Sequence, residues 1–268
     1  MKLTISIAQI HTAQADPEAN LKKGEARIQE AAERGSDLIC FPEMWTTGFN
    51  WEQNRKLAGL QEETIEKVSQ MAKRYHIWIN GTMLTLNEEE KISNTSILFD
   101  ASGNTVAVYH KTHLFTFAHE EQHMTPGKSL CLADTPWGLM GLSICYEIRF
   151  PEIFRTYALR GAKIVLSPIA FPHPRLRHWK ILSRARAIEN QMYLVGINHV
   201  GSETFGPSNP PVTYFGASVI IDPWGETVIE ATETEEELLT ATIDLDRVDE
   251  IRSMMKVLSD RRPELYDR

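Results

Sequence analysis

The sequence predicts an α/β fold in which helices cover a core of β-sheet, and three observations support this prediction. Segments with strand patterns and segments with helix patterns alternate along the 268 residues. Several of the strand segments are short, continuous apolar runs, as expected of strands that are buried on both faces. Two pairs of strands resemble hairpins and interrupt the alternation, which favours a mixed sheet, or two sheets, over a plain parallel one.

The N-terminal region illustrates these patterns. Apolar and polar residues alternate over residues 3–8, which is the two-residue period of a strand. Asp16 is a suitable N-cap and Pro17 is a favoured first helical residue, so a helix is predicted to begin there. This helix runs to about Arg34, and Gly35 ends it.

The remaining elements follow from the same criteria. Helices are predicted over residues 62–75, 151–160, 176–191 and 246–256. Strands are predicted over residues 37–41, 77–84, 94–100, 104–110, 138–145, 163–167, 192–198, 216–222, 226–231 and 237–243. Residues 111–129 and 201–211 are predicted to be long connections. No repeat, low-complexity stretch or linker divides the chain, so we expect a single domain over residues 1–268.

Composition and charge narrow the class of protein. Hydrophobic residues make up 42% and charged residues 24% of the chain, as in ordinary globular proteins. The net charge of −8 argues against nucleic acid or an anionic membrane as the main partner, since both attract basic surfaces. The three cysteines do not suggest a disulfide framework, and neither a signal peptide nor a membrane-spanning apolar run is recognisable. We therefore expect a cytoplasmic protein that acts on a small molecule.

Three reactive side chains lie next to predicted strand ends. Glu43 follows the strand that ends at Phe41, Lys111 follows the strand that ends near His110, and Cys145 ends the strand GLMGLSIC. Because strand carboxyl ends tend to gather at one edge in α/β proteins, these three groups could converge. The carboxylate could take the thiol proton, and the ammonium could favour the thiolate and stabilise an oxyanion. Taken singly, the cysteine is equally compatible with a small core residue, and the two charged residues with solvated positions.

Longer motifs surround all three residues. They are FPEMWTTGF, YHKTHLF and GLSICYEIRFPE, followed by RARAIENQ (184–191), IIDPWGE (220–226) and DRRPELY (260–266). In this order and spacing they resemble the nitrilase superfamily of carbon–nitrogen hydrolases over essentially the whole chain. The resemblance implies a four-layer α-β-β-α sandwich, with two mixed β-sheets inside and helices outside. It also implies hydrolysis of an amide bond through a cysteine thioester, no cofactor, and a helix-mediated homodimer or higher homo-oligomer.

The resemblance also implies which residues form the site. The catalytic glutamate, lysine and cysteine of such proteins carry over to Glu43, Lys111 and Cys145. A second glutamate often assists, seven residues before a glycine in the family pattern. That spacing selects Glu120, with Glu121 as the competing choice.

Two other interpretations compete with this one. The segment HEEQH (119–123) fits the zinc-hydrolase motif H-E-x-x-H, in which two histidines share one face of a helix and the glutamate is the general base. Polar residues at both x positions, and Pro126-Gly127 directly afterwards, argue against a buried zinc helix, so no metal site is expected. The second alternative is a binding protein without catalytic activity, or a redox cysteine, on the same fold.

The segment SPIAFPHPRLRHW (167–179) bears on the substrate. Together with ARAIENQ it resembles the ω-amidase-like branch, which implies the side-chain amide of a 2-oxo acid such as 2-oxoglutaramate. Arg175, or alternatively Arg177, is the candidate to bind the substrate carboxylate through two hydrogen bonds, although both could equally face solvent. Other small amides, nitriles and N-carbamoyl compounds are alternative substrates. The predicted apolar walls of the pocket are Trp45, Phe117, Tyr146 and Phe171.

Overall fold

Two mixed β-sheets, packed face to face, form the centre of the computed structural model, which describes residues 1–87, 89–205 and 210–266. One continuous cluster of buried apolar side chains joins them, with Ile5 and Leu38 from the first sheet and Leu142 and Ile164 from the second. Helices cover the outer face of each sheet. The predicted α-β-β-α sandwich is therefore confirmed.

The first sheet contains six strands. They are β1 (Lys2–Gln9), β2 (Leu38–Cys40), β3 (Trp78–Leu86), β4 (Ile92–Phe99), β5 (Thr105–His110) and β14 (Glu237–Asp244). Their order is β14-β1-β2-β3-β4-β5, so the last strand of the chain closes the sheet beside the first. β1, β2 and β3 are parallel, and β4 is antiparallel to both β3 and β5. The carboxyl ends of β2 and β5 consequently point to the same edge.

The second sheet also contains six strands. They are β6 (Leu132–Thr135), β7 (Gly138–Leu142), β8 (Ile164–Pro168), β9 (Tyr193–Ile197), β12 (Val219–Ile221) and β13 (Thr227–Glu230). Their order is β13-β12-β9-β8-β7-β6. The three central strands, β7, β8 and β9, are parallel. Their carboxyl ends carry the chain segments that complete the site described below.

Six α-helices complete the layers. They are α1 (Pro17–Glu33), α2 (Trp51–Leu57), α3 (Gln61–Tyr75), α4 (Pro151–Leu159), α5 (Leu176–Asn190) and α6 (Asp246–Met254). α1 begins as predicted, because the Asp16 side chain accepts a hydrogen bond from the backbone N–H of Ala19. α1 and α3 pack on the first sheet, and α4 and α5 on the second. Within the described residues, none of the helices combines the length and the apolar character that crossing a bilayer requires.

The structure differs from the predicted elements in several places. Residues 201–203 of the predicted loop 201–211 instead belong to β10 (Val200–Glu203), which pairs with β11 (Val212–Phe215) in a two-stranded ribbon, and residues 206–209 of that loop lie outside the described residues. β6 and α2 were not predicted. For β6 the reason is its weakly apolar sequence, LADT. The predicted strand 138–145 ends at Leu142, three residues before Cys145.

Candidate active site

The predicted catalytic trio lies together at the edge where strand ends from both sheets meet. Glu43 follows β2 and Lys111 follows β5 in the first sheet, whereas Cys145 follows β7 in the second. Glu43 and Lys111 are each 1% exposed and Cys145 is 7% exposed. Burying three reactive groups together is costly unless they satisfy one another, so their mutual contacts decide whether the arrangement is a site.

Lys111 is held between two carboxylates. Its Nζ donates to Glu43 Oε1 at 2.8 Å and to Glu120 Oε1 at 2.9 Å. Glu120 is buried, whereas Glu121 is largely exposed, so the structure places Glu120 rather than Glu121 beside the lysine. Burial alone would lower the pKa of Lys111, but the charges of Glu120 and Glu43 outweigh it and raise the pKa, so the ammonium stays protonated.

Glu43 is positioned to exchange a proton with the thiol. Its carboxylate accepts a hydrogen bond from Asn94 Nδ2 at 2.8 Å, and it lies close enough to Cys145 for the carboxylate and the thiol to shift each other's pKa. Burial raises the pKa of Glu43, and the charge of Glu120 raises it further, against the opposing effect of Lys111. A carboxylate with a raised pKa, in contact with a thiol, is suited to act as a general base.

Cys145 stands at a strained turn. It opens a 3₁₀ turn, Cys145–Arg149, with a φ of 47°, in the left-handed region that residues with a side chain rarely adopt. The backbone N–H of Ala170, just after β8, points at its Sγ at 3.5 Å. Burial and the Glu43 carboxylate raise the thiol pKa, although Lys111 acts in the opposite direction. The raised pKa favours a protonated thiol in the resting site.

Glu147 joins the two halves of the site, and sequence reasoning missed it. Its fully buried carboxylate accepts hydrogen bonds from the N–H of Thr112 at 2.7 Å and from the N–H of Ile144 at 2.7 Å. Burial alone would raise its pKa, but hydrogen bonds, including those from His113 and Thr112, hold the pKa below its usual range. Glu147 thus ties the segment after Lys111 to the turn that carries the cysteine. The signal was present as an acidic residue within the apolar motif CYEIRF.

An open cleft of about 250 Å³ leads to these groups. Its aromatic lining consists of Phe49, Trp51, Phe115, Phe117 and Phe205. Phe117 lies at the mouth and is 76% exposed, while Tyr146 and Phe171 border a smaller side pocket that also reaches Cys145. These three predicted walls therefore lie at or beside the cleft.

Trp45 requires a correction, because it is not a wall of the pocket. Its side chain is completely buried and stacks on Phe41, with ring centroids 4.4 Å apart. A Cβ atom at Gly24 or at Gly81 would lie only 2.4 Å or 2.8 Å from the indole. The two glycines thus leave a slot that the indole fills, on the side of the first sheet that faces α1 and α3.

Two guanidinium groups border the side pocket beside Cys145, which we call the far end of the cleft. Arg175 lines both the cleft and the side pocket, and Arg149 lines the side pocket with it. Arg149 lies over the Phe171 ring, 5.4 Å from its centroid. In the part of the chain that the structure describes, neither arginine has a carboxylate within 4.0 Å. Arg177, the competing prediction, is exposed and lies outside both pockets. Like Glu147, Arg149 lies at the site but was not predicted from the sequence.

The HEEQH segment does not form the helix that zinc binding would need. It contains a single 3₁₀ turn, Glu120–Gln122, preceded by His119 with a φ of 56°. His119 is exposed, whereas His123 stacks on Trp51 with ring centroids 4.9 Å apart. Within residues 1–87, 89–205 and 210–266, no group of three or more His, Cys, Asp or Glu side chains could hold a metal ion. The two histidines therefore do not share the helical face that the zinc-hydrolase interpretation requires.

Behind the cleft lies a buried carboxylate that no cation neutralises. Glu203 on β10 accepts hydrogen bonds from the N–H of Phe49 at 3.1 Å and from the hydroxyl of Tyr214. Among the described residues it has no Lys or Arg nitrogen within 4.0 Å. Burial raises the pKa of Glu203 to about 7, although its two hydrogen bonds oppose the shift.

Replacing Glu203 by glutamine is expected to stabilise the protein at pH 8 but not at pH 5. At pH 5 the folded protein keeps this carboxyl protonated, whereas above a pKa of about 7 it must ionise in the interior. The free energy of unfolding lost as the pH rises is on the order of 2 kcal/mol, and glutamine avoids it. Thermal unfolding at both pH values measures the difference, with Glu226→Gln at an exposed position as the control. Equal stabilisation at both pH values would contradict this assignment.

The chain is similar to known proteins over nearly its whole length. The sequence model of a family described as carbon-nitrogen hydrolase matches residues 4–253. A 2-oxoglutaramate amidase of Bacillus subtilis is 34% identical over 271 residues, covering 99% of this chain and 100% of that protein. A carbon–nitrogen hydrolase from Helicobacter pylori has the same fold, with a TM-score of 0.94, 24% identity, and coverage of 100% of this chain and 98% of that chain.

A third similarity concerns the cysteine. The amidase from Nesterenkonia sp. has a TM-score of 0.87 and 26% identity, covering 98% of this chain and 95% of that chain. Its structure, a glutamate-to-glutamine mutant, shows covalent addition of the acetamide moiety of fluoroacetamide at the active-site cysteine.

Proposed function

Because this chain belongs to the carbon–nitrogen hydrolase family and is a cysteine-dependent hydrolase of amide bonds, we propose that its substrate is the ω-amide of a small 2-oxo acid, with 2-oxoglutaramate as the first choice. The observation that carries the proposal is the pair Arg149 and Arg175, which have no carboxylate partner among the described residues and lie in a pocket that also reaches Cys145. A small acid with an amide at its other end has the matching chemistry.

We propose that Cys145 is the nucleophile and Glu43 the general base. Glu43 takes the thiol proton while Sγ attacks the amide carbon, which forms a tetrahedral oxyanion. Lys111, together with backbone N–H groups near Tyr146, stabilises that oxyanion. The C–N bond then breaks as Glu43 returns the proton to the leaving nitrogen, so that ammonia departs and a thioester remains.

The second half of the reaction uses water. Glu43 accepts a proton from the water that attacks the thioester carbon, and the C–S bond breaks to release the acid. The proton then returns to the thiolate of Cys145. Glu120 assists by holding Lys111 in place and by adding negative charge beside Glu43, an effect that favours a protonated Glu43.

Replacing Arg175 by glutamine is expected to lower kcat/KM for 2-oxoglutaramate by about 10²-fold, since a charged hydrogen-bonded pair is lost. The loss should be much smaller for a neutral amide of similar length. Arg149→Gln should act in the same direction, and the exposed Arg177→Gln is the matched control. Steady-state ammonia release measures all three variants. An Arg175→Gln enzyme with unchanged kinetics on 2-oxoglutaramate would remove this residue from the carboxylate site.

A panel of substrates tests the proposed function itself. Ammonia release is measured with 2-oxoglutaramate, 2-oxosuccinamate, simple aliphatic amides, nitriles and N-carbamoyl compounds. We expect the two 2-oxo acid amides to have the highest kcat/KM. Turnover of aliphatic amides or nitriles without turnover of 2-oxo acid amides would overturn the substrate and leave the reaction class unchanged.

We further propose that residues 1–268 form one domain that assembles as a homodimer in the cytoplasm. Apolar side chains on α5 and on the neighbouring β12–β13 hairpin support a contact between copies, because Ile181, Ile188, Trp224 and Val228 are 55%, 51%, 44% and 40% exposed. The three free cysteines are compatible with a reducing compartment. Light scattering of the purified protein measures the oligomer.

A further inference from the structure

Phe115 contacts two parts of the site: its main chain binds Glu120, and its ring packs against Arg175 at the far end of the cleft. The backbone N–H of Phe115 donates to Glu120 Oε2 at 2.6 Å, while its carbonyl accepts from the Glu120 N–H at 3.3 Å. The other carboxylate oxygen of Glu120 binds Lys111. The main chain of Phe115 therefore helps to set where the second glutamate, and with it the lysine, stands.

The side chain of Phe115 points to the other end of the site. The Arg175 guanidinium lies over its ring, 5.6 Å from the centroid, and over the Phe117 ring at the same distance. Tyr146, the neighbour of Cys145, packs on the Phe115 ring with centroids 4.9 Å apart. Phe115 is partly exposed and borders the open cleft, where its ring also stacks on Phe117 with centroids 5.7 Å apart.

We propose that Phe115 is a positioning residue that couples occupancy of the carboxylate-binding end of the cleft to the placement of Glu120. This inference rests on the proposed function, in which Arg175 binds the substrate carboxylate. A guanidinium without an anionic partner is free to change rotamer, whereas two hydrogen bonds to a carboxylate fix it. Fixing the guanidinium fixes the ring that packs on it, and through the same residue the N–H that holds Glu120.

The consequence is that binding at the remote end raises the rate of the chemical step as well as the affinity. Interactions with a part of the substrate that does not react can be used to orient the groups that do. Placement errors of the order of 1 Å at a reacting group lower rates by about 10²-fold, so a looser Glu120 should reduce kcat. A neutral amide leaves Arg175 unbound and should not benefit.

The test compares an anionic and a neutral substrate in two matched variants. The substrates are 2-oxoglutaramate and the neutral amide pentanamide, and kcat and KM are measured separately for each. Phe115→Leu keeps the backbone contact with Glu120 but removes the ring, so kcat for 2-oxoglutaramate is expected to fall about tenfold, and the ratio of kcat for 2-oxoglutaramate to kcat for pentanamide is expected to fall with it. Phe117→Leu removes an equivalent contact on Arg175 but leaves the Phe115 ring and its backbone contacts with Glu120 in place, so it should raise KM with a smaller change in the kcat ratio of the two substrates.

Phe115→Tyr, which keeps the aromatic ring, should restore the kcat ratio of the two substrates, and Phe115→Met serves as a second variant if leucine disturbs folding. An equal fall in kcat on both substrates, or a change in KM alone, would overturn the coupling and indicate a purely structural role. The wild-type enzyme tests the proposed function separately. If it shows no preference for 2-oxoglutaramate over pentanamide, the substrate assignment fails, and the inference fails with it.

Discussion

Replacing Cys145 by alanine is expected to lower kcat/KM for amide hydrolysis by at least about 10⁴-fold, the loss typical when a covalent nucleophile is removed. The fold should survive, because alanine is smaller than cysteine and the site lies at a turn rather than within a strand. Ammonia release measures the activity, and circular dichroism with a thermal melt measures the fold. Cys131→Ala is the matched control, since this thiol is half-buried and lies outside the cleft.

A covalent intermediate makes the same prediction visible directly. In Glu43→Gln or Glu120→Gln, slow turnover should leave an acyl group on Cys145, which mass spectrometry of peptides detects. Adduct on Cys40 or Cys131 instead, or substantial activity in Cys145→Ala, would contradict the assignment of the nucleophile. Cys40 is completely buried and burial raises its pKa, so we expect it to stay unmodified.

Replacing Lys111 by methionine is expected to abolish activity and also to destabilise the protein. Methionine has a similar length but no charge, so Glu43 and Glu120 would share a buried cavity without a cation. Breaking a buried pair in this way typically costs about 3–5 kcal/mol of unfolding free energy, far more than loss of a surface pair. We expect activity to fall by at least about 10³-fold, because the stabilisation of the oxyanion is lost together with the position of both carboxylates.

The pH dependence identifies the cause of this loss of stability. Without the ammonium, the pKa of Glu43 in the folded protein rises further, so the folded state binds more protons than the unfolded state and stability falls as the pH rises. The loss should therefore be larger at pH 8 than at pH 5. Lys67→Met, which removes an exposed pair with Glu63, is the control. Adding Glu120→Gln to Lys111→Met should recover part of the stability but not the activity. If the Lys111→Met protein is as stable as the wild type at pH 8, the contacts of Lys111 with Glu43 and Glu120 do not stabilise the folded protein.

The convergence of Glu43 and Lys111 was predictable, because strand direction brings the ends of β2 and β5 to one edge of the first sheet. The approach of Cys145 depends in addition on how the second sheet packs on the first, which strand direction alone does not give. The strained backbone of Cys145 was not predictable, since nothing in GLSICYEI distinguishes a strand that continues from one that turns at Ser143. The family resemblance supplied Glu120, which strand ends alone could not have selected.

The errors have physical reasons that a sequence pattern does not contain. Trp45 follows Glu43 by two residues, but it points into a slot that two glycines distant in sequence leave open. Arg149 and Glu147 stood within a recognised motif, yet their roles depend on partners from other segments, such as Thr112 for Glu147. The ribbon of β10 and β11 contains glycine, serine and glutamate, which are weak strand formers, so its pairing depends on tertiary contacts.

Glu43 and Cys145, the proposed base and the proposed nucleophile, follow strands of different sheets, which has a consequence for how activity reports on folding. Neither half of the chain contains a complete set of reacting groups, since residues before β6 supply Glu43, Lys111 and Glu120 and residues after it supply Cys145 and Arg175. A small shear between the two sheets would separate the thiol from its base without disturbing a single strand pairing. The rate of turnover therefore depends sensitively on how the two sheets pack. In mild denaturant we expect enzyme activity to fall before the strand content measured by circular dichroism changes.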